Sequence, residues 1–262
     1  MKNLAIQLAI VMFLSASFGV GQDLSPREIM KKNESQMTAR NEESQFTMKL
    51  INKRGKERKR QVVLYSKTDS ENNDKTLIRF LSPADVKGVG LLSVEDGDRE
   101  DQWLYLPALK RVRRISSSEK TDSFMGSDFS YEDIDQNELE DYRYTLLREE
   151  VVDGVECFVI QSIPVDEQVK QETAYSKSEV WIRKDNYVST KVNFYNKKGD
   201  LIKMMNSGDI RSVNGTDKWR AYLIEMQNIK TGHRTELLYK NIQINQGVAE
   251  KFFTQRYLER GR

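Results

Sequence analysis

Apolar and polar positions follow a two-residue period along most of the chain. Phe46, Met48 and Leu50 alternate with Thr47, Lys49 and Ile51, as in a strand with one buried face. Short apolar runs follow at 62–65, 77–81 and 89–94. Turn chemistry separates them at Lys53-Arg54-Gly55-Lys56, Asn72-Asn73-Asp74 and Asp96-Gly97-Asp98. The pattern returns in the second half. Strands are predicted over 142–149 and 155–163 around Asp153-Gly154, a hairpin signal. Others are predicted over 180–183 and 188–195 around Lys184-Asp185-Asn186, and then over 201–210, 219–229 and 234–244. Helices are few. Ser25-Pro26-Arg27-Glu28 reads as an N-cap, a proline at the first helical position and a glutamate at the third, predicting a helix to about Met37. A short helix is expected over 248–257. Strand following strand through short turns predicts a mainly β, antiparallel meander. Phe158-Val159-Ile160 and Ala221-Tyr222-Leu223-Ile224 are apolar on both faces. A flat sheet with one wet face would alternate more cleanly, so part of this sheet is expected to curl around a helix or a ligand space.

The N-terminus departs from this pattern. Lys2 precedes an apolar run from Leu4 to Val20 that ends in Gly19-Val20-Gly21 before Gln22 and Asp23. This is the layout of a secretory signal peptide over 1–21, leaving 22–262 as a single domain. An uncut anchor is the alternative, although the run is short for a span of about 20 apolar residues. Cys157 is the only cysteine, which excludes an internal disulfide. The chain carries 42 basic and 40 acidic residues, a net charge of +2. That balance and the export signal argue against nucleic acid as a partner. An exported monomer in the periplasm is expected.

Residues 116–141 break the strand rhythm, and connections this long are uncommon and often functional. The segment carries nine acidic residues together with Phe124, Met125, Phe129 and Tyr131. A wholly solvated loop has no use for such apolar groups, so they are expected to dock on the core, to cover a ligand, or both. Just before it comes Lys110-Arg111-Val112-Arg113-Arg114. Strand parity puts Arg111, Arg113 and Ile115 on one face and Val112 and Arg114 on the other. Charge on both faces predicts an edge or rim strand, partly countered by the acidic segment.

No catalytic constellation is legible. His233, the single histidine, falls in a predicted turn and reads as an exposed turn residue. Cys157 lies mid-strand and reads as a buried thiol rather than a nucleophile. One histidine and one cysteine cannot make a zinc site. The acids at 96–101 lack the spacing of a calcium loop. No cofactor, metal site or enzymatic activity is expected.

The stretch DQWLYLPALKRVRRISSSEKTDSFMGSDFSYEDI, residues 101–134, closely resembles the signature of bacterial outer-membrane lipoprotein-sorting proteins, the LolA-like family. Weaker similarity extends through FLSPADVKG at 80–88 and FFT at 252–254. The resemblance implies a strongly curved antiparallel sheet, an unclosed half-barrel, with a few helices capping a concave apolar cavity. It implies capture of the acyl chains of a lipid or lipoprotein and their carriage between membranes. A periplasmic accessory or sensor subunit docking on an inner-membrane export pump of the resistance-nodulation-division type is the alternative. The arginine that gates the cavity in characterised relatives has no matched position. On this reading Trp103, Tyr105 and Trp181 are expected in the cavity wall, and Phe124, Met125, Phe129 and Tyr131 in the wall or lid. Lys110, Arg111, Arg113 and Arg114 are expected at the rim, facing a head group or partner.

Overall fold

The computed structural model describes residues 24–70, 73–97, 99–134 and 139–261. The expected leader lies outside them. Helix α1 (Pro26–Met37) is followed by β1 (Asn41–Ile51), β2 (Glu57–Thr68), β3 (Asp74–Ser82), β4 (Gly90–Asp96), β5 (Arg99–Leu106) and β6 (Arg111–Arg114). After a long connection come β7 (Tyr142–Val152), β8 (Val155–Pro164), helix α2 (Glu167–Glu172), β9 (Tyr175–Arg183) and β10 (Ser189–Asn196). The chain ends with β11 (Leu201–Ser212), β12 (Trp219–Asn228), β13 (Arg234–Ile244) and helix α3 (Gln255–Arg260). The strands form one 13-stranded antiparallel sheet in the order β6-β5-β4-β3-β2-β1-β13-β12-β11-β10-β9-β8-β7. It is strongly curved and does not close into a barrel.

This order has a topological consequence. The first and last strands pair at the middle, Met48 opposite Leu237 and Leu50 opposite Thr235. The two edges are therefore β6 and β7, which are consecutive in the chain. The connection between them, described over 115–134 and 139–141, passes across the face that carries Phe46, Met48 and Leu50. The length of this segment is the span it must cover.

Local chemistry explains the elements. At α1, the Ser25 backbone N–H donates to Glu28 Oε2 (2.8 Å) and the Ser25 hydroxyl accepts from Glu28 N–H (3.3 Å), a reciprocal cap. Asp153 and Gly154 both have positive φ, 50° and 81°, as the tight hairpin between β7 and β8 requires. The C-terminal helical stretch is two pieces, a 3-10 turn over Glu250–Phe253 and α3, separated at Thr254, whose hydroxyl caps α3. The short α2, capped by Asp166, was not anticipated from the pattern.

Both faces of the sheet are covered. On the inner face, Phe46, Met48, Val62, Ile78, Leu91 and Leu104 form one core with Phe124, Phe129 and Tyr131 of the crossing segment. Ile29 of α1 packs on Ile160, Val180, Ile182 and Val192 of the far half. On the outer face, Leu258 and Phe253 pack on Leu77 and Leu92. Gly90 gives α3 its close approach: a β-carbon there would lie 2.7 Å from Leu258 Cδ1. Leu258 is fully buried, so Leu258→Ala is expected to cost about 2–5 kcal/mol in urea unfolding. Because α3 lies on the outer face, the same variant should leave ligand uptake at the inner face unchanged.

Candidate binding cavity

A cavity of about 570 Å³ lies between the inner face, α1 and the crossing segment. Its apolar wall is assembled from distant parts of the chain. Met30 comes from α1, and Phe46, Met48, Leu64 and Ile78 from β1–β3. Met205, Ile224, Met226 and Leu237 come from β11–β13, and Phe124, Phe129 and Ile134 from the crossing segment. Carboxylates and two cations, Lys177 and Arg220, punctuate this wall.

Among the polar anchors that hold the crossing segment over the sheet, three engage Asp128, Asp133 and the Met125 carbonyl. Asp128 Oδ2 accepts from the Thr235 hydroxyl (2.7 Å) and lies 2.6 Å from His233 Nδ1, while the Asp128 N–H donates to Thr235 Oγ1 (3.0 Å). Asp133 pairs with Lys203 (2.8 Å) and accepts from the Tyr175 hydroxyl (2.7 Å) and Ser130 N–H (2.7 Å). Arg60, on β2, donates to the Met125 carbonyl (2.7 Å). The segment itself is knotted by Phe124 N–H to Phe129 O (2.8 Å) and Ser127 Oγ to Phe124 O (2.7 Å). The Asp-Ser-Phe-Met-Gly-Ser-Asp-Phe-Ser-Tyr-Glu-Asp block is thus a clamp.

A fourth tie fixes α1. Arg220 is buried at the cavity wall, pairs with Glu42 (3.1 Å) and donates to the carbonyls of Met37 (3.0 Å) and Gln36. It joins the C-terminal end of the helix, where carbonyls lack partners and the dipole is negative, to the sheet. Burial sets the protonation of the surroundings. It pushes the hydroxyls of Tyr142, Tyr144 and Tyr175 above the ordinary tyrosine range. It raises the Glu132 and Asp74 carboxyls as well. Glu119 moves the other way. The backbone and hydroxyl of Ser116, then Arg113, hold its carboxyl at about 2.

The described residues contain no group of three His, Cys, Asp or Glu side chains placed to hold a metal. The Cys157 thiol is buried and raised by desolvation.

Known structures share this architecture. A domain from Vibrio parahaemolyticus, described as an outer membrane lipoprotein-sorting protein, is 35% identical with a TM-score of 0.81, over 90% of this chain and 98% of that one. The chain belongs to this outer membrane lipoprotein-sorting family. A DUF1329 family protein from Desulfovibrio piger is 30% identical with a TM-score of 0.82, covering 89% of this chain and 97% of its own. A LolA superfamily protein from Nitrosomonas europaea shares the fold at 21% identity and a TM-score of 0.70, over 89% of this chain and 99% of that one. A family model described as an uncharacterized protein matches residues 72–260. No curated protein matches the chain.

Within this LolA-like frame the sequence-predicted residues separate. Phe124 and Phe129 line the cavity. Tyr131 is buried behind Phe124, edge-on at 5.6 Å, and Met125 packs beside them. Trp103, Tyr105 and Trp181 are not in the cavity wall. Trp103 and Tyr105 face outward under α3, and Trp181 packs outward on Cys157 and Val159, flanked by Lys191 and Arg148. Arg113 lies opposite inner-facing Leu104, and Arg114 opposite Trp103, on the edge strand. Among the described residues the acidic segment engages Arg113 of the basic run, through Glu119 (2.5 Å), whereas Arg114 pairs with Asp101 of β5. Lys110 and Arg111 are exposed. His233 is no exposed turn residue, since its ring is part of the clamp. Arg220, Lys203 and Tyr175 were missed, because a charge or hydroxyl within a strand carries no local mark of its partner.

Lys203 and Asp133 are largely buried, with side chains 15% and 4% exposed. Asp133→Ala leaves the ammonium unpaired and is expected to cost about 3–5 kcal/mol, with faster amide exchange over 121–134. Adding Lys203→Met should restore most of the loss in thermal unfolding, because the stranded charge is then gone.

Proposed function

We propose that this chain is a periplasmic, non-enzymatic carrier that holds the acyl chains of a lipid or lipoprotein between the sheet, α1 and the crossing segment. The observation that carries the reading is the cavity. Its volume of about 570 Å³ falls within the range of pockets that enclose a small ligand, about 300–1,000 Å³. Its methionines, Met30, Met37, Met48, Met205 and Met226, are flexible side chains that adapt to chains of differing shape. Each methylene withdrawn from water contributes about 0.8 kcal/mol, so the apolar wall supplies affinity without specific polar contacts. Phe124 and Phe129 contact the acyl chain, with Tyr131 and Met125 supporting them from behind. Lys110, Arg111, Arg113 and Arg114 lie at the sheet edge. The ties of Arg220 and Asp128 set how readily α1 and the crossing segment part from the sheet to widen the cavity. Kinship to the Vibrio lipoprotein-sorting domain supports the class of cargo. No observation favours the pump-accessory reading.

Native mass spectrometry of protein isolated from the periplasm, with lipid extraction of the same sample, tests the proposal. A near-stoichiometric acyl species is the expected result, and a mass unchanged after incubation with lipids and lipoproteins overturns it. Met205→Trp fills the cavity from a half-buried position. It should lower capture at least about tenfold, the equivalent of about 1.4 kcal/mol, with little change in melting temperature.

A further inference from the structure

Because all neighbouring strands are antiparallel, the connections alternate between the two ends of the sheet. Six lie at one end, at 52–56, 83–89, 107–110, 165–174, 197–200 and 229–233. Their neighbourhood is direct. A β-carbon on Gly232 would lie 3.6 Å from Lys53 Cβ, and one on Gly88 would lie 3.2 Å from Pro107 Cγ. Five of these connections carry exposed cations. Lys53, Arg54 and Lys56 stand on the first, and Lys87, Lys110 and Lys230 on three others. Lys197 and Lys198 stand on the fifth. Arg58 and Arg111 extend the patch into the adjoining strands. Glu57, Asp85 and Asp200 oppose it locally, and the 165–174 connection, with Asp166, Glu167 and Glu172, marks its limit. At the opposite end each hairpin carries an aspartate, Asp69, Asp96, Asp153, Asp185 and Asp217, against Lys184 and Lys218 on the same connections. The net charge of +2 conceals a molecule with a basic end and an acidic end.

A second, independent pattern coincides with the first. Large apolar side chains exposed at the basic end stand beside its cations. Leu109 is 67% exposed next to Lys110, Ile229 is 39% exposed next to Lys230, and Leu81 is 42% exposed at the start of the connection holding Lys87. We propose that this end of the half-barrel docks on an anionic lipid bilayer. Lysine and arginine near such a surface gain electrostatic attraction that fades within a Debye length of about 8–10 Å, so the surface senses this end and not the distant acidic one. Leu109, Ile229 and Leu81 then leave water for the headgroup boundary. A nucleic acid offers them no such medium, whereas the headgroup boundary of an anionic bilayer takes up both the cations and the apolar groups, and a bilayer is therefore the occupant. The inference does not depend on what the cavity holds.

Co-sedimentation with vesicles tests it. The protein should bind vesicles of phosphatidylethanolamine with phosphatidylglycerol, should release them as salt rises, and should ignore phosphatidylcholine vesicles. Lys53→Glu/Arg54→Glu/Lys56→Glu should weaken binding at least about 100-fold with an unchanged melting temperature. Leu109→Ser should weaken it at equal charge on the hairpins. Asp153→Lys/Asp217→Lys, at the other end, should not weaken it. Met205→Trp should bind vesicles like the parent protein, which separates surface docking from uptake into the cavity. Equal binding to both vesicle types, full binding by the triple variant, or capture of soluble polyanions without vesicles overturns the proposal.

Discussion

The ladder between β1 and β13 is the contact on which the rest of the molecule depends. It joins a six-stranded half, β1–β6, to a seven-stranded half, β7–β13, and makes one curved surface of two meanders. Once the chain's first and last strands meet at the middle, the edges must be β6 and β7. The segment between them has no short route and must cross the inner face. An antiparallel sheet that curls without closing exposes an apolar concavity, and this one is covered by what the topology already draws across it.

That cover is fastened by a few polar contacts rather than by continuous packing. Asp128 and Asp133 reach β13, β11 and β9, while Arg60 reaches back from β2. Phe124 and Phe129 face the inner core between these points, and a cavity remains where the cover and the sheet do not meet. Arg220 does for α1 what the aspartates do for the crossing segment. A buried charge pair contributes little net stability against an apolar equivalent, but breaking one partner is costly. Such ties therefore hold geometry more than they add stability, which suits a cover that must be definite in place and still separable.

How far this could be read from the chain depends on the range of the interaction. The Ser25-Pro26-Arg27-Glu28 cap and the Asp153-Gly154 turn are local, and both stand where the sequence places them. The four apolar residues of the crossing segment were legible too, since they have no use in water. Trp103, Tyr105 and Trp181 were misplaced because alternation separates two faces without saying which is concave. Parity passes from strand to strand only through pairing, and irregularities at Gln45/Phe46 and Leu146/Arg148 reset it. The His233 turn looked inert because its partner lies far away in the chain, at Asp128.

The central position of β1 and β13 also bears on how the molecule is made. Each meander can form hairpin by hairpin from neighbours in sequence. Their junction cannot, because it waits for the final strand to leave the ribosome. Until then β1 offers an unpaired edge and half the inner face has no cover, the kind of intermediate that sticks to others of its kind. A chain built in this order gains from being kept unfolded until it is whole, and truncation at the C-terminus would remove the joint between its halves rather than a peripheral strand.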